Sequence, residues 1–297
     1  MSIPAFILKQ SFTSDCNFIA ILDCLNPLMD ISSPRRHFED LRIKLIGKDK
    51  PEKIDKNLQL VTCKNESEFC DYLNKLEKKF TIPGFKPIII IHAHGDKKKG
   101  LQLPDNSFVG WSRLIEKFRH ITEKCGGDLT VIAAFCHSHE LIKHLGQVKK
   151  LPFSFYYGYP SAISSGVIED EVDIIYKSFI DDGGKTLIPL LSKLSIKLYG
   201  EYDFIKMFLS PALLMAANPE QLSKIQPSLS QKKLKGLVSK NINGPQSGID
   251  SLFKKVVRGD NLSISLVEEH MYDTERRTYV LQSVRNYFNL IKKEKTE

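Results

Sequence analysis

Four consecutive isoleucines, Ile88–Ile91, follow a proline and end in the polar sequence His92-Ala93-His94-Gly95-Asp96. β-Branched side chains favour strands, and an uninterrupted apolar run is typical of a strand buried on both faces. Such strands occur in parallel sheets that helices cover on both sides. The run therefore predicts a central strand, and the polar residues after it are expected at the carboxyl edge of a sheet, where α/β proteins bind ligands.

Strand-like and helix-like segments alternate through the first two thirds of the chain. Apolar β-rich runs predict strands at residues 5–12, 58–63, 86–94, 129–135 and 153–159. Helical spacing of apolar residues predicts helices at 17–30, 65–80, 110–124 and 168–183, with a hairpin at 101–109. Asn65 is expected to cap the second of these helices. The alternation indicates an α/β fold with a mostly parallel sheet.

The sequence changes character after about residue 195, so domains are predicted at 1–195 and 196–297. Residues 201–225 have a helical pattern broken by Pro211 and Pro219, and 228–248 form a polar stretch typical of a loop. Residues 271–293 predict an amphipathic helix. Its apolar face is expected to contain four residues: Tyr279, Val284, Tyr287 and Leu290. This region is interpreted as a helical appendage.

Composition limits the cellular setting and the partners. The net charge is +8, and the lysine clusters lack any nucleic-acid-binding signature, so direct nucleic-acid binding is not expected. The first residues do not form a signal-peptide pattern, and no apolar stretch is long enough to span a membrane. The six cysteines show no paired spacing, which favours reduced thiols and a cytoplasmic location.

A histidine and a cysteine follow two of the predicted strands. His94 and Gly95 come after the isoleucine run, and Cys136 comes directly after the strand at 129–135. A thiol is nucleophilic as the thiolate, which a nearby imidazole or a helix amino end favours. Residues 137–147 predict a helix, so Cys136 is expected at its start. If the two strands are neighbours, His94 and Cys136 face each other at the edge of the sheet.

These features resemble the caspase-like cysteine peptidase superfamily (clan CD), in particular its bacterial branch with a CHAT-type domain. The resemblance covers about 1–190 and is strongest over 86–186, from "IIIIHAHGDKKKGLQLPDNSFVGWSRL" through "LTVIAAFCHSHE" to "FYYGYPSAISSGVIEDEVDIIYKSFIDDGGKTL". It implies a caspase-like three-layer αβα sandwich. The sequence departs from the family pattern in two places. Ala134-Phe135-Cys136-His137-Ser138 stands where caspases have Q-A-C-x-G, and Gly158-Tyr159-Pro160 stands where many relatives have a tryptophan.

The resemblance also implies an activity. His94 would be the general base and Cys136 the nucleophile of a cysteine endopeptidase. The N–H groups of Gly95 and Cys136 would form the oxyanion hole. No cofactor is implied. The substrate would be a protein partner, and the setting a regulated bacterial defence or cell-death pathway, including antiviral defence, with an activating sensor protein or ligand.

The resemblance to clan CD further implies that the residue before the cut sits in a pocket near the ends of the fourth and fifth strands, where acidic side chains would favour Lys or Arg. The candidates for substrate binding are Asp96, Asp128, Glu169 and Asp170. The alternative interpretation of the last two is that they are acidic residues in the first turn of a helix, which complement its dipole. Residues 241–261 are interpreted either as a surface linker or as a self-cleavage segment cut after Lys255 or Arg258.

Two other functions fit the same residues. In a metal-dependent hydrolase, the metal ligands would come from His92, His94, Asp96, His137 and His139. In a catalytically inactive caspase-like scaffold, the fold would remain without the chemistry.

Overall fold

The computed structural model describes residues 16–28, 30, 33–81, 84–146, 150–206, 209, 213 and 260–294. The chain divides into two compact units. One spans Ser11–Gly146 and Leu151–Gly200, and the other Met1–Gln10, Gln147–Lys150 and Glu201–Glu297. The predicted strand at 5–12, the polar stretch 228–248, and Lys255 and Arg258 lie outside the described residues.

The larger unit contains a six-stranded sheet. Its strands in spatial order are β2 (Leu58–Thr62), β1 (Phe18–Asp23), β3 (Pro87–His92), β7 (Thr130–Ala134), β8 (Phe155–Gly158) and β9 (Lys197–Gly200). The first five are parallel, and β9 pairs antiparallel with β8. The predicted α/β fold with a mostly parallel sheet is confirmed, and because β9 belongs to the sheet, this unit continues past residue 195.

Helices connect the strands. They are α1 (Ser33–Ile46), α2 (Pro51–Asn57), α3 (Glu66–Lys79), α4 (Trp111–Lys124), a 3-10 helix (Ser138–His144), α5 (Ser165–Asp182) and α6 (Leu187–Leu190). The connections through α1 and α3 run in opposite directions along the sheet, so right-handed crossovers put these two helices on opposite faces. Consistently, α1 packs against α5, and α3 packs against α4.

A small antiparallel sheet follows β3. It consists of β4 (His94–Asp96), β5 (Gly100–Gln102) and β6 (Phe108–Val109). The predicted hairpin at 101–109 is the β5–β6 pair, and Asn106 in its turn has a positive φ of 66°. The chain therefore leaves the main sheet after His92 and turns back over its carboxyl edge.

The hydrophobic core lies on both faces of the central strands. Residues 88–91 of β3 are at most 3% exposed, as expected for a strand covered on both sides. In α3 the Asn65 side chain accepts a hydrogen bond from the Glu68 N–H, and Phe69, Leu73 and Leu76 are buried. These observations confirm the predictions for both elements.

The helix predicted at 17–30 is wrong, because residues 18–23 form β1. β1 lies between β2 and β3, so its residues 18–22 are buried against both helical layers. An apolar residue at every position is required there, and such a run also contains the spacing of a buried helix.

The smaller unit is mainly helical where it is described. Residues 201–206 are helical, followed by α7 (Asp260–His270) and α8 (Thr274–Glu294), which pack against each other. On α8, Val284 and Tyr287 are buried as predicted. Tyr279 and Leu290 are 37% and 52% exposed, so their assignment to the buried face is wrong. The buried stripe instead includes Val280 and Phe288.

Candidate active site

The two predicted catalytic side chains follow neighbouring parallel strands. His92, the last residue of β3, lies opposite Ala134, the last residue of β7. His94 and Cys136 each come two positions later. The strand register therefore puts both at the same carboxyl edge of the sheet, where ligands bind in folds of this class.

Gly95 brings the two segments into direct backbone contact. A Cβ built on Gly95 would lie 1.9 Å from the Cys136 carbonyl oxygen and 2.7 Å from the Phe135 ring. Real Cβ atoms do not approach backbone oxygen so closely, so this position has room only for glycine. The His94–Gly95 backbone thus rests on the backbone of Cys136.

The Cys136 thiol is half-buried against the loop that follows β8. Its Sγ lies 3.4 Å from both the backbone nitrogen and the backbone oxygen of Ile163. The Ile163 N–H can donate to the sulfur, and a protonated thiol can donate to the Ile163 oxygen. The Ile163 backbone can therefore form a hydrogen bond with Cys136 whether the sulfur is a thiol or a thiolate.

The segment after Cys136 differs from the predicted helix. His137 has a positive φ of 59°, and a 3-10 helix begins only at Ser138. The His137 N–H donates to the Ser161 oxygen, and the His139 N–H donates to the Tyr159 oxygen. Side chains rarely adopt the left-handed backbone of His137, so these bonds hold a sharp turn directly after the candidate nucleophile.

Ser138 ties this turn to the sheet. Its buried Oγ donates to the Ala133 oxygen at 2.9 Å and accepts from the Tyr159 N–H at 2.8 Å. The Tyr156 hydroxyl donates to the Ser138 carbonyl at 2.8 Å. A Cβ on Gly158 would lie 3.1 Å from the Ser138 Oγ, so glycine allows this close approach. The serine two positions after Cys136 is thus a structural bridge between β7 and β8.

His94 has a carboxylate partner that the sequence did not reveal. Its Nε2 lies 3.0 Å from Asp30 Oδ1 and 3.1 Å from Oδ2. Asp30 follows β1, which lies beside β3 in the sheet. A helix at 17–30 puts Asp30 away from this edge, whereas a strand at 18–23 puts the residues that follow it beside the end of β3. The signal that identifies Asp30 is therefore the strand assignment of β1.

The four predicted substrate-binding acids are not gathered in one place. Asp96 accepts the N–H groups of Lys99 and Lys98, which lower its pKa. Glu169 forms an ion pair with Arg36 at 2.6 Å, while Asp170 is exposed near the start of α5.

Asp128 lies at the amino ends of the parallel strands, opposite the carboxyl edge that carries Cys136. It precedes β7, whereas Cys136 follows it, and it pairs with Lys86 at 3.5 Å. The prediction that Asp128 lines a pocket beside Cys136 therefore does not agree with its position. Another acid, Glu171, is buried and accepts the N–H groups of Ser195 and Ile196 just before β9.

The histidines proposed as metal ligands point in different directions. His92 is buried in the core, where its Nε2 lies 3.2 Å from Nδ1 of His37 in α1. His94 instead contacts Asp30. Among the described residues, no group of three or more His, Cys, Asp or Glu side chains is arranged to hold a metal ion.

Comparison of the sequence with models of known families gives no match, and comparison with curated proteins gives none either. Within the described ranges, the helices are too short or too polar to cross a bilayer. The six cysteines are all free in the structure.

Proposed function

We propose that the protein is a caspase-like cysteine endopeptidase with Cys136 as nucleophile and His94 as general base. One observation carries this proposal: the two residues follow adjacent parallel strands in register, and Gly95 rests directly on the Cys136 backbone. The order of motifs that resembles the CHAT-type branch of clan CD supports the same assignment.

The residues account for each chemical step. His94 takes the proton of the Cys136 thiol, and the sulfur attacks the carbonyl carbon of the scissile peptide bond. The carbonyl oxygen becomes negatively charged, and the N–H groups of Gly95 and Cys136 would stabilise that charge. His94 then gives the proton to the leaving amine. A thioester remains on Cys136, and water, deprotonated by His94, hydrolyses it to release the acid and the thiol.

The proposed substrate is a protein partner. Asp128 does not enter the pocket because it lies at the opposite edge, and Arg36 already pairs with Glu169. Asp96 and Asp170 remain as acids that could favour a basic side chain before the cut. The resemblance further supports a role in a regulated bacterial defence or cell-death pathway, with region 196–297 receiving the activating signal.

The metal-dependent hydrolase has less support, because His92, one of its five candidate ligands, packs against His37 in the core, and the described residues contain no group of three potential ligands arranged to hold a metal ion. An inactive scaffold predicts the same fold without chemistry. Cleavage of other proteins that depends on Cys136 distinguishes the peptidase from both alternatives.

We expect cells that produce the wild-type protein to contain new protein termini that are absent with Cys136→Ala. The measurement is a proteome-wide comparison of termini by mass spectrometry. Cys125→Ala is the matched control, because Cys125 is a buried cysteine that ends α4, away from the proposed site. New termini that persist in Cys136→Ala, or that are lost equally in Cys125→Ala, would contradict the proposal.

A further inference from the structure

We infer that Asp30 is the positioning residue for His94, and that its carboxylate makes Nδ1 of the imidazole the atom that takes the thiol proton. This inference rests on the proposed function and adds a residue to it. In this role Asp30 acts through the ring of His94, which its carboxylate contacts.

The contact itself fixes the state of the ring. Both oxygens of Asp30 lie within 3.1 Å of His94 Nε2. An ionised carboxylate accepts hydrogen bonds and cannot donate them, so Nε2 must carry the hydrogen. In a neutral imidazole the other nitrogen then has the free lone pair. Nδ1 is therefore the basic atom of His94.

Asp30 is itself held by its own loop. Its Oδ2 accepts the Asn26 N–H at 2.8 Å, and its backbone N–H donates to the Asn26 carbonyl at 2.9 Å. The Asp30 side chain is 19% exposed, against 58% for His94. The more exposed histidine is thus oriented by a less exposed carboxylate whose position two hydrogen bonds fix. An exposed ring without such a partner would sample several rotamers.

The loop reaches His94 because of the strand order. β1 and β3 are neighbours, with Asp23 opposite His92, so the residues that follow both strands meet at one edge. The Cys24 N–H donates to the His92 carbonyl at 2.8 Å, which joins the start of this loop to the end of β3. Asp30 therefore belongs to the same edge as Cys136.

The role follows from the proton transfers of the proposed mechanism. When Nδ1 takes the thiol proton, the ring becomes an imidazolium with a hydrogen on each nitrogen. Asp30 stays ionised and stabilises the new positive charge through the Nε2–H bond. When Nδ1 returns the proton to the leaving amine, the ring is again neutral with its hydrogen on Nε2. No proton moves to Asp30 at any step.

An asparagine at position 30 separates this role from a structural one. The Asn26 N–H requires an oxygen acceptor, so the amide oxygen of Asp30→Asn must occupy the place of Oδ2. The amide NH₂ then takes the place of Oδ1, the oxygen nearer to His94 Nε2. A hydrogen on Nε2 would be directed at that NH₂, whereas a bare Nε2 accepts a hydrogen bond from it. Asp30→Asn therefore favours the tautomer with hydrogen on Nδ1, in which Nδ1 cannot act as the base. Asp30→Ala leaves the ring free to choose either tautomer.

The test uses the full-length protein and needs no known substrate. Iodoacetamide alkylates thiolates, and mass spectrometry of peptides gives the rate at Cys136 at pH 7, with glutathione as the reference thiol. We expect Cys136 to react faster than glutathione and to lose that advantage in His94→Ala. Asp30→Asn should lower the rate about tenfold or more, and Asp30→Ala should lower it less, because general-base effects reach roughly 10²–10⁴.

Each outcome decides something different. If Cys136 is alkylated in Asp30→Asn as fast as in the wild type, or faster than in Asp30→Ala, Asp30 does not set the tautomer. The His94→Ala result would still support the proposed function. If the wild type reacts no faster than glutathione and His94→Ala changes nothing, both the function and this inference fall. In a His94→Ala background, Asp30→Asn should have no effect on the rate, whereas a structural role would still change it.

Discussion

At position 95 a single hydrogen atom in place of a methyl group decides whether two backbone segments can meet. Gly95→Ala would place a Cβ against the Cys136 carbonyl oxygen and the Phe135 ring, neither of which is a flexible side-chain end. We expect the variant to lose about 1–3 kcal/mol of unfolding free energy, as overpacked sites do. Displacement of the Cys136 backbone should also slow alkylation of its thiol.

The matched control for that change is Gly166→Ala near the start of α5, where an added Cβ meets no atom within 4 Å. Alanine favours a helix over glycine by about 1 kcal/mol, so this variant should be as stable as the wild type or more stable. Chemical denaturation measures both. Equal stability of Gly95→Ala and Gly166→Ala would show that the two backbones are not in contact.

At the scale of elements, sequence predicts structure where neighbouring residues alone decide it. α3 has its cap at Asn65 and its apolar face within one segment, and β3 is identified by four adjacent isoleucines. β1 could not be identified this way, because a strand buried on both faces and a buried helix have the same composition. The edge strand β9 depends on pairing with β8, which local propensity does not encode.

The residues of the candidate site also fall into those that local sequence identifies and those that only the strand order brings together. His94, Gly95 and Cys136 are visible in the sequence because they come just after apolar runs. Asp30 is 64 positions from His94, and only the order of β1 and β3 brings them together. Asp128 and Cys136 are close in sequence, but β7 lies between them and puts them at opposite ends of one strand.

The 3-10 helix offers a prediction of its own. Ser138→Ala removes a buried hydroxyl that pairs with the Ala133 oxygen and the Tyr159 N–H. Leaving a buried donor or acceptor unpaired costs about 1–3 kcal/mol, so we expect a loss of unfolding free energy in that range. Cys136, whose turn Ser138 anchors, should also be alkylated more slowly.

Ser67→Ala is the control for Ser138→Ala, because Ser67 is exposed on α3 and its hydroxyl contacts only the exposed Asp71 among the hydrogen bonds described. Surface changes of this kind usually stay within about 0.5 kcal/mol. Denaturation of the two variants gives the comparison. If Ser138→Ala is no less stable than Ser67→Ala, the bridge between β7 and β8 contributes nothing.

At the scale of the whole sheet unit, two buried histidines join a helix layer to the sheet. His37 of α1 and His92 of β3 share a hydrogen bond of 3.2 Å. The rings of His37 and Tyr176 also form a T-shaped contact. Burial lowers the pKa of both histidines, most strongly that of His92. For His37, Arg36 acts in the same direction, whereas Glu169 and Asp173 of α5 oppose it.

These lowered pKa values make the stability of the unit depend on pH. An unfolded histidine has a pKa of about 6.5, so above that pH neither state binds the extra proton and the stability is fully present. Below it the unfolded chain binds protons that the folded chain does not. The free energy of unfolding should therefore fall as the pH falls from about 6.5 toward the lower folded pKa, by at most about 1.4 kcal/mol per pH unit for each histidine.

Denaturation at several pH values between about 7.5 and 5 tests this expectation. His37→Gln removes one titrating ring and keeps a hydrogen-bonding amide, so its stability should decline less steeply with falling pH than that of the wild type. Ile175→Val, a change at a buried residue of α5, should lower the stability equally at every pH. Parallel curves for the wild type and His37→Gln would mean that the histidine pair is not the group whose protonation weakens the fold.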